Sequence, residues 1–158
     1  MSAVALCCLN SCTGKTPPIY THFVNIDPDG WHSGEYCVYD MADADSLTLA
    51  DTKRNYDILL TVRHTTDYPY NDLWLEIERP TKADSISSHK IEIELSDPNG
   101  SWKGKGMQGI YEFSDTLVKG VKLSPEDVLT LKHDMPVASL PGILDLGLII
   151  IESQPHQK

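Results

Sequence analysis

Leu95-Ser96-Asp97-Pro98-Asn99-Gly100-Ser101-Trp102-Lys103-Gly104-Lys105-Gly106-Met107-Gln108-Gly109-Ile110-Tyr111 carries four of the chain's ten glycines between two runs of alternating apolar and polar residues. The run before it, Ile86 to Leu95, puts Ile91, Ile93 and Leu95 on one side and Lys90, Glu92 and Glu94 on the other, the pattern of a sheet with one wet face. Asp97-Pro98-Asn99-Gly100 is a turn: proline presets φ, asparagine tolerates the left-handed region, and glycine takes the remaining conformation. Gly104, Gly106 and Gly109 call for bulges, positive φ or a closely approached backbone. The spacing Gly104-x-Gly106-x-x-Gly109 is that of a dinucleotide fingerprint, but such a turn opens a helix. Ile110 to Val118, directly after it, is aromatic and β-branched with no helical period. A Walker phosphate loop needs Ser or Thr after its lysine, and Lys105 is succeeded by Gly106. The segment therefore reads as a glycine-rich connection between two strands, pinned by Trp102 and Tyr111, and no nucleotide is expected.

The same alternation extends in both directions. Tyr56 to His64 is the clearest strand of the first half, with Ile58, Leu60 and Val62 on one face and Leu59 and Thr61 on the other; Leu73 to Glu78 alternates again. Between them runs an aromatic, proline-bearing loop with Tyr68-Pro69-Tyr70, which Arg63 is expected to clamp through Asp67 or Asp72 or by stacking on a tyrosine. Ile19 to Val24 is a strand, Glu35 to Met41 a weaker one, Ala42 to Ser46 a turn and Ser46 to Ala50 a short strand. Asp27-Pro28-Asp29-Gly30 before Trp31 echoes Asp97 to Trp102, predicting two similar corners where an indole caps the core. Downstream, a turn is expected at Lys119-Gly120, then a short strand from Val121 to Leu123, a strand from Val128 to His133, a loop from Met135 to Pro141, and a central strand from Ile143 to Glu152. Eight to ten short strands without a long helix predict an all-β fold: an antiparallel β-sandwich, jelly-roll-like, over residues 19–153, with a tail at 154–158. A chain of 158 residues buries roughly two thirds of its unfolded surface, enough for a single core.

Net charge is −10 with the lysines and arginines scattered, so the surface repels phosphate and nucleic acid is not an expected partner. The six histidines form no His-x-His or His-x-x-x-His pair, no Gly-x-Ser-x-Gly elbow exists, and Cys37 reads as a small core residue. No metal, cofactor or catalytic residue is expected. Trp31, Tyr68, Tyr70, Trp74 and Trp102 lie at loops or their edges, where aromatics either stack on sugar rings, as in a carbohydrate-binding sandwich, or seal the ends of the core.

Residues 1–11 are uncharged and include an apolar run from Ala3 to Leu9, too short to span a bilayer and suited to a lipoprotein signal peptide truncated at its basic start. Leu9-Asn10-Ser11-Cys12 reads as a lipobox, with cleavage before Cys12 and lipid attachment to it. Each buried acyl methylene contributes about 0.8 kcal/mol, so several chains anchor a protein firmly. Residues 12–18, polar and proline-rich, read as the tether. With the first eleven residues removed, Cys12 and Cys37 remain, so the domain is expected to be held by its core rather than by disulfides.

Gly30-Trp31-His32, Arg63 with Tyr68-Pro69-Tyr70 and Leu73 after it, Asp97-Pro98-x-Gly100-x-Trp102-x-Gly104-Lys105-Gly106 with Ile110-Tyr111, and Gly142-Ile143-x-Asp145-x-Gly147-Leu148 together resemble the gliding-motility lipoprotein GldH family of Bacteroidota. The resemblance implies a non-enzymatic, lipid-anchored cell-envelope protein associated with gliding motility and type IX secretion. It implies action by contacts with other envelope lipoproteins or with secretion and motility components, and it brings no catalytic residue and no cofactor. The candidate contact surface on this reading is Arg63, Tyr68, Pro69, Tyr70, Trp102, Gly104, Lys105 and Gly106. Thr13-Gly14-Lys15 lacks the acidic run that marks surface export in this phylum, which points to the outer membrane, facing the periplasm.

Overall fold

The computed structural model describes residues 16–44, 49, 51, 53–80 and 86–154. The signal peptide, Cys12, most of the expected strand from Ser46 to Ala50 and most of the tail lie outside the described residues.

Among the described residues, two antiparallel sheets and a short ribbon make up the fold. The five-stranded sheet is ordered β1 (Pro18–Asn25), β11 (Ile143–Glu152), β4 (Tyr56–Thr65), β8 (Ile110–Val121) and β7 (Lys105–Met107). The four-stranded sheet is ordered β3 (Cys37–Asp40), β9 (Val128–His133), β5 (Asp72–Pro80) and β6 (Ile86–Glu94). The ribbon pairs β2 (Trp31–His32) with β10 (Ser139–Leu140). Alternation decides which side of the core strands is buried. On β4, Tyr56, Ile58, Leu60, Val62 and His64 point inward; on β5, Leu73, Leu75 and Ile77 do; on β9, Leu129, Leu131 and His133 do. These faces interleave with Leu146, Leu148 and Ile150 of β11 into one core. The sheets are also joined by a buried hydrogen bond, Tyr39 Oη donating to the Leu146 carbonyl at 2.9 Å. Burial raises the Tyr39 phenol pKa, so the hydroxyl stays a donor.

The predicted sandwich and its principal strands are present, and β11 lies inside its sheet between β1 and β4. Local expectations change in places. The short strand expected from Val121 to Leu123 is not formed: Val121 is the last residue of β8, and Lys122 and Leu123 lie outside any strand. Lys119-Gly120 does not reverse the chain: β8 runs through it, the β4–β8 register shifts there, and the Gly120 N–H turns to Asp57 Oδ1 at 2.9 Å, which makes it a bulge. The loop from Met135 to Pro141 contains β10, whose pairing with Trp31–His32 spans over a hundred residues and leaves no local periodic signal. The glycine run contains β7, which zips onto β8. The two Asp-Pro-x-Gly corners do match: Gly30 N–H donates to the Asp27 carbonyl at 2.9 Å and Gly100 N–H to the Asp97 carbonyl at 2.8 Å, with a tryptophan just beyond each.

The two ends of the sandwich differ. Pro18 of β1 pairs with Ile151 of β11, and Ser153 N–H donates to the Asn55 carbonyl, so the chain enters where β11 ends and β4 begins. At the far end of β4, Thr65 N–H donates to the Gly142 carbonyl, Thr66 N–H to that of Gly109, and Leu95 N–H to that of Asn71. The ten residues of β4 therefore hold the two ends roughly 30 Å apart. If the buried alternation carries the fold, Leu60→Ala lowers unfolding free energy by about 2–5 kcal/mol in urea denaturation, whereas Val38→Ala, on the wet face of β3, changes it by less than about 0.5 kcal/mol.

Candidate functional site

The end away from chain entry is built on His64, the last inward residue of β4. Its ring is fully buried, and three aromatic side chains close on it: Trp102 at 4.6 Å between centroids, edge-on; Tyr111 at 5.7 Å, stacked; and Tyr68 at 5.7 Å, tilted. Nδ1 lies 3.0 Å from the Thr65 carbonyl, so the proton sits there, and Nε2 has no hydrogen-bond partner among the described residues. Desolvation holds the His64 pKa below its ordinary value, keeping the ring neutral at physiological pH. Tyr68 is likewise buried; its hydroxyl donates to the Asp72 carbonyl at 2.6 Å, which ties the 66–71 loop to the start of β5. Tyr70 is half-buried edge-on against Tyr68 at 5.8 Å, and Pro69 is exposed.

The glycine run obeys the same logic of close approach. Ser96 and Trp102 pair as an isolated bridge, with the Asp97 to Ser101 turn between them. Gly104, at φ +84°, has its α-carbon against the Glu112 carbonyl, where any Cβ would collide. Gly106 leaves room for the Tyr111 ring, 2.5 Å from where a Cβ would stand. β7 then turns at Gln108-Gly109 into β8, not into a helix, and the hairpin tip exposes Met107 and Ile110. Lys105 is exposed on this hairpin.

Arg63 departs from its expected role. It lies on the outer face of the five-stranded sheet, with Nε donating to Asp145 Oδ1 at 2.8 Å and the guanidinium 5.1 Å from the centre of the Phe23 ring. Gly147 gives Phe23 its place, since a Cβ there would collide with the ring. Outward residues 63, 145 and 147 meet because Arg63 pairs with Asp145 in the sheet register and Phe23 with Gly147. The 66–71 loop is held instead by Tyr68 and by Asn71, whose carbonyl accepts from both Leu95 and Ser96 N–H.

Of the residues picked from the sequence, Tyr68, Tyr70, Trp102, Gly104 and Gly106 gather at one end, with Pro69 and Lys105 on its surface and Arg63 on the adjoining sheet face. Sequence reasoning passed over His64, although its i+2 spacing from Ile58, Leu60 and Val62 put it on the inward face. It also passed over Asp145 as the partner of Arg63, for which a separation of 82 residues gives no local signal.

The five loop aromatics do not form a sugar platform. Trp31 is 1% exposed and Tyr68 2%, and neighbouring rings meet at 53° to 70° rather than in one plane. Trp31 caps the core as expected, its Nε1 donating to the Glu35 carbonyl and its ring edge-on to His133. Beside Tyr70 opens a cleft of about 470 Å³, walled by Pro69, Asp72, Glu92, Glu94, Asp97 and Pro98.

A family model described as GldH lipoprotein matches residues 18–150. The chain is 25% identical over 153 residues to "Gliding motility lipoprotein GldH homolog" of Christiangramia forsetii, covering 91% of this chain and 88% of that protein. It is 25% identical over 127 residues to "Gliding motility lipoprotein GldH" of Flavobacterium johnsoniae, covering 76% of each.

Burial lowers the pKa of both His64 and His133 in the fold while the unfolded chain titrates near 6.5. Their contribution to stability is thus complete above that pH and declines on acidification, at about 1.4 kcal/mol per pH unit for each ring between its unfolded and folded pKa. Denaturant midpoints measured from pH 7.5 downward are expected to fall, and His64→Leu to flatten the decline. Gly104→Ala is expected to destabilise the domain by at least about 1–3 kcal/mol through the forced left-handed conformation, with the collision at Glu112 added.

Proposed function

The chain belongs to the GldH lipoprotein family, and from that premise we propose that it is a lipid-anchored component of the bacterial cell envelope serving gliding motility and type IX secretion. It acts through protein–protein contact and makes or breaks no covalent bond. Cys12 carries the lipid, residues 12–18 are the tether, and the domain stands on the outer membrane facing the periplasm. Its partners are other envelope lipoproteins or secretion and motility components.

The observation that carries this reading is the polarity of the sandwich. The tether runs into β1 at the end where β1 starts, and Tyr68, Pro69, Tyr70, Trp102 and the glycine hairpin lie at the other end, roughly 30 Å away along β4. An anchored domain of this build presents its aromatic end away from the bilayer, where a second protein can reach it. The side chains there serve packing first: a buried tyrosine, a neutral histidine and glycines that admit close backbone contact shape a rigid surface rather than a reactive one. That favours recognition over chemistry.

Palmitate labelling of the wild type and of Cys12→Ala, with membrane fractionation of both, tests the anchor. Label and outer-membrane sedimentation are expected for the wild type and loss of both for the variant; equal labelling of the two would refute lipidation at Cys12. Affinity capture from native membranes is expected to recover envelope proteins with the wild type, and fewer with the exposed hairpin-tip variant Met107→Glu.

A further inference from the structure

Along the outer face of the four-stranded sheet the lysines are already committed. Lys90 Nζ lies 2.5 Å from Asp134, Lys132 Nζ 3.1 Å from both Glu76 and Glu78, and Lys103 Nζ 2.7 Å from Glu94. At the aromatic end of that face is the 470 Å³ cleft, and its Glu92 and Asp97 make no ion pair among the described residues. Asp72, a third carboxylate on its wall, accepts among the described residues only from the Trp74 indole, at 3.0 Å. Ser96 adds an observation independent of the acids. It is 7% exposed, its N–H is bonded to the Asn71 carbonyl, and its backbone bridges Trp102. Alternation with buried Ile93 and Leu95 turns its side chain to the same face as Glu92 and Glu94, on the cleft wall, yet the hydroxyl has no partner among the described residues. A buried hydroxyl left unpaired costs about 1–3 kcal/mol, which a ligand donating into the cleft recovers.

We propose that this cleft is a docking site for an extended, arginine-bearing segment of a partner protein. Charge selects a cation, since the free carboxylates sit on a chain of net charge −10. Geometry selects a side chain over a metal ion: among the described residues no three His, Cys, Asp or Glu side chains converge to hold one, and the acids are strung along the wall. A guanidinium suits the rest of the lining, because its planar fork donates to a single carboxylate, Glu92 at one point of the wall or Asp97 beside the Ser96 oxygen at another, while its weakly hydrated face stacks on Tyr70 or on the partly exposed Trp74 ring opposite Glu92. An extended backbone suits the spacing. Glu92 and Glu94 are two residues apart on β6, about 6.7 Å, the repeat at which an extended segment presents successive side chains to one face. β6 is also the edge of its sheet, with β5 as its hydrogen-bonded neighbour in the sheet.

The inference deepens the contact reading above by naming the partner's chemistry, and it is testable without a membrane. The full chain is titrated with a fluorescein-labelled Gly-Arg-Gly-Arg-Gly peptide and with its glutamine counterpart, and the amide spectrum is monitored in parallel. Expected are saturable binding of the arginine peptide alone, resonance shifts confined to residues 70–74 and 92–98, and affinity about fivefold weaker for Glu92→Gln with Asp97→Asn. Both substitutions are on exposed side chains, and an unchanged spectrum elsewhere verifies the fold. Ser96→Ala is expected to weaken binding to a smaller degree. Equal binding of the two peptides, affinity unaffected by the double substitution, or no binding by the wild type overturns the proposal. Loss of lipid labelling in the anchor experiment would leave this outcome untouched, so the two readings fail separately.

Discussion

A neutral imidazole sealed beneath aromatic rings is the constraint on which one end of this sandwich depends. His64 occupies the last inward place on β4, and Trp102, Tyr111 and Tyr68 come to it from three different segments. Each brings a loop with it: the 66–71 loop through Tyr68, the Asp97 turn through Trp102, and the β7–β8 hairpin through Tyr111. Filling that place with a ring that is both apolar in bulk and able to donate to the Thr65 carbonyl fixes the loops relative to one another. Mutual support of this kind gives a surface made of loops the rigidity of a sheet.

The fold was largely legible because most of its strands bury one face and wet the other, and period two survives in the sequence wherever that is so. β4, β5, β6 and β9 announce themselves in this way. Where one face is not decisive the signal fades. β7 is exposed on every residue, so nothing distinguishes it from a glycine loop. β2 and β10 are two residues each and exist through pairing with each other. Gly120 resembles a turn residue because the conformation that makes a turn also makes a bulge.

The site was legible in part and for a different reason. Tyr68, Trp102 and the glycines were conspicuous as costly residues in loops, but which of them lie inside and which outside depends on contacts between segments far apart in the chain. The same blindness explains Arg63. The acids of the loop that follows it, Asp67 and Asp72, lie around the corner of the sandwich, whereas Asp145 is its neighbour in the sheet register. A cleft whose wall combines the 69–72 and 92–98 segments could not be assembled without knowing that Asp72 faces Glu94.

The pairing of β1 with β11 carries a consequence for how this protein comes into being. Pro18 to Asn25 find their hydrogen-bonding partners between Asp145 and Ile151, so the first strand of the domain waits for nearly the last. Loop-closure entropy makes such a contact slow and late. During synthesis the amino-terminal strand stays without its mate until some 120 further residues have left the ribosome, by the register itself. A chain threaded through a narrow translocation channel must be kept from folding ahead of time, and this connectivity supplies that delay from within: the sheet closes only after the carboxy-terminal strand has arrived on the same side.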